Sequence, residues 1–176
     1  WFDKRWMDEV SSRVPLLVQW PRKVEAGSSN EALVQNIDFA PTLLDAAGVQ
    51  PVRPMHGVSL LPLLLGQQAD WQRDLYYHFY ENPGFHGVAR HYGIHTGRYK
   101  LVHYYRNQEW ELFDLQTDPA ELRNLYGQPG YDELTRELVQ RLRALRSQYQ
   151  VPDEDPQVPW YHGLLIRTVE QLMRLL

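Results

Sequence analysis

The 176-residue sequence contains no cysteine. That excludes a disulfide framework, a thiolate zinc site and a cysteine nucleophile within these residues. It leaves the compartment open. Lysine is scarce as well: Lys4, Lys23 and Lys100 stand against fifteen arginines. Arginine suits bidentate contacts to carboxylates and sulfates, although its commonest use is a solvated surface pair. No apolar run approaches the roughly 20 residues that span a bilayer. A net charge of -4, with 23% charged residues, argues against disorder and gives no reason to expect nucleic-acid binding. The sequence opens on Trp1 rather than Met and does not start with a charged-then-apolar leader, so the expectation is a fragment whose signal peptide, if one exists, lies outside it. What remains is 43% hydrophobic residues, enough for a packed core in one domain or one and a fraction.

The pattern changes character along the chain. Pro15–Trp20 (PLLVQW) is a near-continuous apolar run and predicts a buried strand with neighbours on both sides. Arg22–Asn30 is a polar loop. Asp38–Ala47 predicts a helix with Asp38 as its cap, Pro41 in the tolerant first turn and Gly48 as its stop. A second short helix is expected over Ser59–Leu65, closing at Gly66. From Leu75 the signals are strands: Leu75–Tyr80, His91–His95, Arg98–Tyr105 and Glu109–Leu115, with a hairpin turn at Arg106–Gln108. In the last of these, Trp110, Leu112 and Asp114 point one way and Glu111, Phe113 and Leu115 the other. Asp118, Pro119 and Glu121 spell out a capped helix start. In Tyr131–Tyr149, Leu134, Leu138, Leu142, Leu145 and Tyr149 share one helical face, and Asp132–Arg136 and Glu137–Arg141 decorate the other. A small antiparallel sheet covered by that helix buries both apolar faces most simply. Val151–Pro159 reads as a linker and Gly163–Leu176 as a terminal amphipathic helix that docks on the core.

Five phrases, in order, resemble the C-terminal portion of type I sulfatases, the formylglycine-dependent branch of the alkaline-phosphatase superfamily. They are WFDKRWMDEVSSRVPLLVQWP (Trp1–Pro21), IDFAPTLLDAAGV (Ile37–Val49), HGVSLLPLL (His56–Leu64), GRYKLVHYY (Gly97–Tyr105) and ELFDLQTDPAELRNL (Glu111–Leu125). The implied fold class is a partial α/β, alkaline-phosphatase-like architecture. It would comprise the end of the large α/β domain at 1–66, a small α+β subdomain with an antiparallel sheet at 67–150, and a linker with a terminal helix at 151–176. The resemblance implies a sulfuric ester hydrolase acting on a sulfated carbohydrate or other sulfated small molecule. Its nucleophile, a formylglycine, and its Ca2+ would lie in a missing N-terminal sulfatase domain, leaving this segment alone inactive. A periplasmic or secreted location is implied too. Two alternatives stay open: a phosphonate or phosphate monoester hydrolase of the same superfamily, and a non-catalytic glycan-binding module.

By the same resemblance Lys4 is the lysine that reaches the sulfate near its bridging oxygen. Sulfate-ester cleavage builds negative charge on the leaving oxygen, where a fixed ammonium acts mainly in the transition state. His86, Arg90 and His91, in PGFHGVARHYG, are candidates for binding a sugar's hydroxyls or carboxylate. His95 stands where relatives carry an arginine. The alternative for this group is a polar loop with incidental histidines. Tyr76, Tyr77, Tyr104 and Tyr105 read as sheet residues with wet hydroxyls, or as a stacking face for a sugar. No pair of histidines has convincing metal spacing, so no metal ligand is assigned to the segment.

Overall fold

Aromatic and branched residues alternate in side-chain direction between 75 and 114, and in the computed structural model they form one four-stranded sheet. The structure describes residues 5–67, 71, 73–81 and 87–155. The strands are β1 (Leu75–Phe79), β2 (His91–His95), β3 (Tyr99–Tyr104) and β4 (Glu109–Asp114), in the spatial order of the chain. The pairs β2–β3 and β3–β4 are antiparallel, with His95 opposite Lys100 and Lys100 opposite Phe113. Each strand ends within about a residue of where the pattern placed it. The expected turn at Arg106–Gln108 is present, with Gln108 left-handed at φ 58°.

The described residues group into two compact units, one from Trp1–Val14 with Tyr76–Leu176 and one from Pro15–Leu75. In the first, the sheet is covered on both faces, which explains why most of β3 is buried. One face carries Ile94, Leu101 and Leu112 against Leu138, Leu142 and Leu145 of the long helix Asp132–Gln148. That is the leucine face expected from the helical spacing. Full burial of such a side chain contributes roughly 1.5–3 kcal/mol. Of the two surface pairs, Glu137–Arg141 forms at 3.0 Å, whereas Arg136 donates to the Asp132 carbonyl.

The opposite face carries Val102 and Tyr104, and the N-terminal segment lies over it with Trp6 and Met7. Gly93 is required there. A Cβ at that position would stand 2.5 Å from both the Met7 sulfur and the Leu101 carbonyl oxygen. Beyond Met7 the segment turns through a short helix, Glu9–Ser12.

The helix expected at Pro119 does not form. Glu121 sits at φ 56°, a left-handed conformation that ends any helix. Its carboxylate is drawn to a distant partner rather than back to a cap. The Asp118 carboxylate accepts the Arg123 N–H at 2.8 Å. The chain then docks along β4. The Asn124 side chain accepts the Leu112 N–H at 3.0 Å and donates to the Trp110 carbonyl at 3.0 Å, while the Leu125 N–H reaches the Leu112 carbonyl at 2.8 Å. The side chain of Asn124 thus stands in for a short strand.

In the second unit a 3-10 turn, Asn36–Asp38, leads into the helix Phe39–Ala46, which stops at Gly48 (φ 67°) as expected. The second helix is shorter than predicted, Leu61–Leu64. Asp38 stands at the N-cap position of that helix, as expected, but its side chain caps the preceding 3-10 turn rather than the helix's own N–H groups. It is fully buried and its carboxylate accepts the N–H groups of Gln35 (2.7 Å) and Val58 (3.0 Å) and the Arg73 guanidinium (2.7 Å). The run Pro15–Trp20 forms no strand, and Leu17 is 91% exposed. No described strand in this unit offers it a ladder, and a strand's N–H and C=O groups need partners. The predicted terminal helix at Gly163–Leu176 lies outside the described residues.

Candidate functional site

The alternation of β3 places Lys100 on the same inward face as Val102 and Tyr104, where a cation has no water. Its side chain is 1% exposed. Two carboxylates meet it there: Lys100 Nζ donates to Glu9 Oε1 at 2.8 Å and to Glu121 Oε1 at 2.7 Å. The other oxygen of Glu121 accepts the backbone N–H of Glu9 at 2.7 Å. His95, the cross-strand neighbour of Lys100, adds a third bond to Glu9. Because its Nδ1 accepts the Gly97 N–H at 2.9 Å, its Nε2 carries the proton and donates to Glu9 Oε1 at 3.1 Å. The His95 hydrogen bond and, against the opposing effect of burial, that of Lys100 hold the Glu9 carboxyl down to about 2.

The segment ahead of Glu9 is fixed as closely. The Arg5 carbonyl accepts the Tyr77 hydroxyl at 2.7 Å. The Trp6 ring stacks on His91 with centroids 5.8 Å apart, and Met7 is 4% exposed. His91, at the start of β2, is wholly buried between Trp6, Tyr77, Phe79 and Tyr104. Its Nδ1–H donates to the Ala89 carbonyl at 2.8 Å. Nε2 is therefore a lone pair, and it has no partner among the described residues. Burial pushes the pKa of this imidazole down.

Arg90, next in the chain, is buried and donates to Asp155 at 2.6 Å. Asp155 also accepts from Tyr105 (2.8 Å) and Arg106 (2.9 Å). Burial opposes the ionisation of Asp155, but these three donors outweigh it and its pKa falls. The four tyrosines do not present wet hydroxyls. They bond within the protein, Tyr76 to His78, Tyr77 to Arg5, Tyr104 to Glu111 and Tyr105 to Asp155.

An open cavity of about 290 Å³ lies beside this network, lined by Trp6, Asp8, Glu9, Tyr104, Glu111 and Glu121 among others. Burial, followed by the nearby Glu121 charge, raises the pKa of Asp8. Burial also raises that of Glu111, against the pull of the Tyr104 hydrogen bond.

Of the residues singled out from sequence, Lys4 and His86 lie outside the described residues. Arg90, His91 and His95 all lie at the ends of β2. The structure brings His91 and His95 onto the face covered by the N-terminal segment that follows Lys4, while Arg90 is joined to Asp155. Sequence reasoning missed Glu9, Lys100 and Glu121. The available signal was parity: Lys100 falls at an inward position of a strand whose neighbours at 102 and 104 are apolar or aromatic, so it required carboxylates.

These residues do not fit a calcium site or a formylglycine precursor. Glu9 and Glu121 are engaged by Lys100, no group of three or more metal-ligating side chains occurs among the described residues, and the sequence holds no cysteine. No helix among the described residues is long and apolar enough to cross a membrane.

The chain is similar to known proteins. Residues 1–148 match the family described as N-sulphoglucosamine sulphohydrolase, C-terminal. An N-acetylglucosamine-6-O-sulfatase of Bacteroides thetaiotaomicron is 44% identical over 160 residues, covering 89% of this chain and 28% of the relative. Arylsulfatase K of Rattus norvegicus is 34% identical, covering 82% of this chain and 26% of its own length. A solved structure described as in complex with its substrate, D-glucosamine-2-N,6-O-disulfate, aligns at a TM-score of 0.83 with 43% identity. It covers 90% of this chain and 33% of that one. The chain thus spans between a quarter and a third of the length of these relatives.

Proposed function

The chain belongs to the N-sulphoglucosamine sulphohydrolase C-terminal family, and from that premise we propose that it is the C-terminal part of a sulfatase acting on a sulfated glucosamine. The observation that carries the substrate is the 44% identity to an N-acetylglucosamine-6-O-sulfatase across 89% of the chain. The rest of such an enzyme supplies the nucleophile and the divalent cation, so the 176 residues alone turn over no substrate. An extracytoplasmic location accompanies this reading.

In hydrolysis the bond between sulfur and the bridging oxygen breaks, and that oxygen leaves with the electron pair before it is protonated. Lys4 is the group of this chain that meets it. A fixed ammonium beside the departing oxygen is worth more in the transition state than in the ground state, and so raises kcat rather than tightening binding. On the sugar side the reading retains His86, Arg90, His91 and His95. Arg90 and His95, engaged by Asp155 and Glu9, hold the two ends of β2.

The test uses the intact enzyme and Lys4→Ala. Loss of kcat on the order of 100- to 1000-fold is expected on a 6-O-sulfated glucosamine. Unchanged turnover by the variant, or a wild-type enzyme that ignores sulfated glucosamine in favour of phosphonate esters, overturns the reading.

A further inference from the structure

We infer that Lys100, Glu121, Glu9 and His95 are positioning residues for Lys4, clamping the segment that follows it against the inner face of the sheet. This rests on the proposed sulfate contact of Lys4. Glu9 comes five positions after Lys4, and Arg5, Trp6 and Met7 between them are held to the sheet while Asp8 starts the short helix. The Arg5 carbonyl holds the Tyr77 hydroxyl, and Trp6 lies on His91. Met7 fills the space above Gly93, and the Asp8 carbonyl accepts the N–H groups of Ser11 and Ser12. Glu9 then closes the anchor through both its backbone and its carboxylate.

The chemistry of the clamp separates it from ordinary packing. An apolar side chain at position 100 would cover the same sheet face at no desolvation cost, so a buried cation is a poor device for stability alone. What it adds is register. Three directional bonds converge on Glu9, its N–H to Glu121 and its carboxylate from Lys100 and from His95, and a fourth, Lys100 to Glu121, locks two of those partners together. The segment cannot slide or rotate without breaking several of them together, whereas apolar contacts tolerate slippage. Register is what a transition-state ammonium needs, because displacement of a reacting group by about 1 Å costs on the order of 100-fold in rate.

A double-mutant cycle in the intact enzyme decides the matter. Glu9→Gln and Glu121→Gln, each nearly isosteric, are measured alone and in the Lys4→Ala background. Alone, each lowers kcat by roughly 10- to 100-fold with KM within about twofold of wild type. With Lys4 already removed, neither costs anything further, because residues acting through a lysine that is gone have nothing left to act on. Losses that multiply in the Lys4→Ala background, or wild-type kcat in both Gln variants, overturn the inference while leaving the sulfatase reading intact. A silent Lys4→Ala removes both. Should the Gln substitutions leave the enzyme unfolded, Lys100→Arg is carried through the same cycle. It keeps the cation but changes its geometry, and the same two outcomes apply.

Discussion

The two units of this chain bury their hydrophobic residues very differently. The sheet unit encloses Ile94, Leu101, Leu112, Leu138 and Leu142 almost completely and neutralises its buried cation with two carboxylates. In Pro15–Leu75, Leu60 is the buried hydrophobic residue among those described, while Leu17 and Leu43 are 91% and 70% exposed. The second unit is organised by polar contacts instead: Asp38 binds Arg73 and two backbone N–H groups, and Thr42 joins Asp38 to Leu60. A sheet closed on both faces satisfies itself. The second unit leaves more apolar area uncovered than a self-contained surface usually does, and the chain spans a third or less of the length of its relatives.

That contrast can be broken most severely at Lys100. Lys100→Met leaves Glu9 and Glu121 as buried carboxylates without a cation, and the loss expected is about 3–5 kcal/mol. Hydrogen exchange read peptide by peptide should show the sheet unit opening while protection in 15–67 is unchanged. Equal loss in both units would mean they do not behave separately.

Acid acts less sharply and again on the sheet unit. Burial, with the Arg146 charge, holds His78 and His103 down to about 4. The unfolded chain therefore takes up protons at these residues first, and stability present above about pH 6.5 is lost as pH falls toward 4. Glu9, held at about 2, adds a second window. Its contribution is full above the unfolded value near 4.5 and disappears as pH falls through 2. Thermal melts between pH 8 and pH 3 should decline in both intervals, and the upper decline should shrink in His78→Phe/His103→Phe to the part that belongs to His91.

The smallest effect belongs to the exposed run. In the isolated chain Leu17→Ser should shift stability by no more than about 0.5 kcal/mol. In the intact enzyme the same change should cost roughly 1.5–3 kcal/mol if the leucine is covered there. Equal, small effects in both settings would show that Pro15–Trp20 faces solvent even in the whole protein.

What was readable and what was not divides along the reach of the interactions. Strands β2–β4 and the Asp132–Gln148 helix were legible because periods of two and near 3.6 are local consequences of backbone geometry, and Leu138 and Leu142 fall where that period puts them. The helix at Pro119 was misread for the opposite reason. Asp118 and Glu121 carry all the local chemistry of a cap, but Lys100, 21 residues away, offers Glu121 a buried charge-assisted bond that no cap can match. Asp38 is an intermediate case: it occupies the cap position expected of it and accepts the nearby Gln35 N–H, while Val58 and Arg73, distant in sequence, take up the rest of its carboxylate.

The amino-acid sequence by itself settled the family, the strand boundaries and the apolar face of the long helix, because motif order and periodicity are properties of a linear chain. The tertiary structure alone decided which carboxylates surround Lys100 and which way the stretch after β4 turns. A buried ammonium must be neutralised by whatever the fold brings within 3 Å, and spacing along the chain carries no record of that distance.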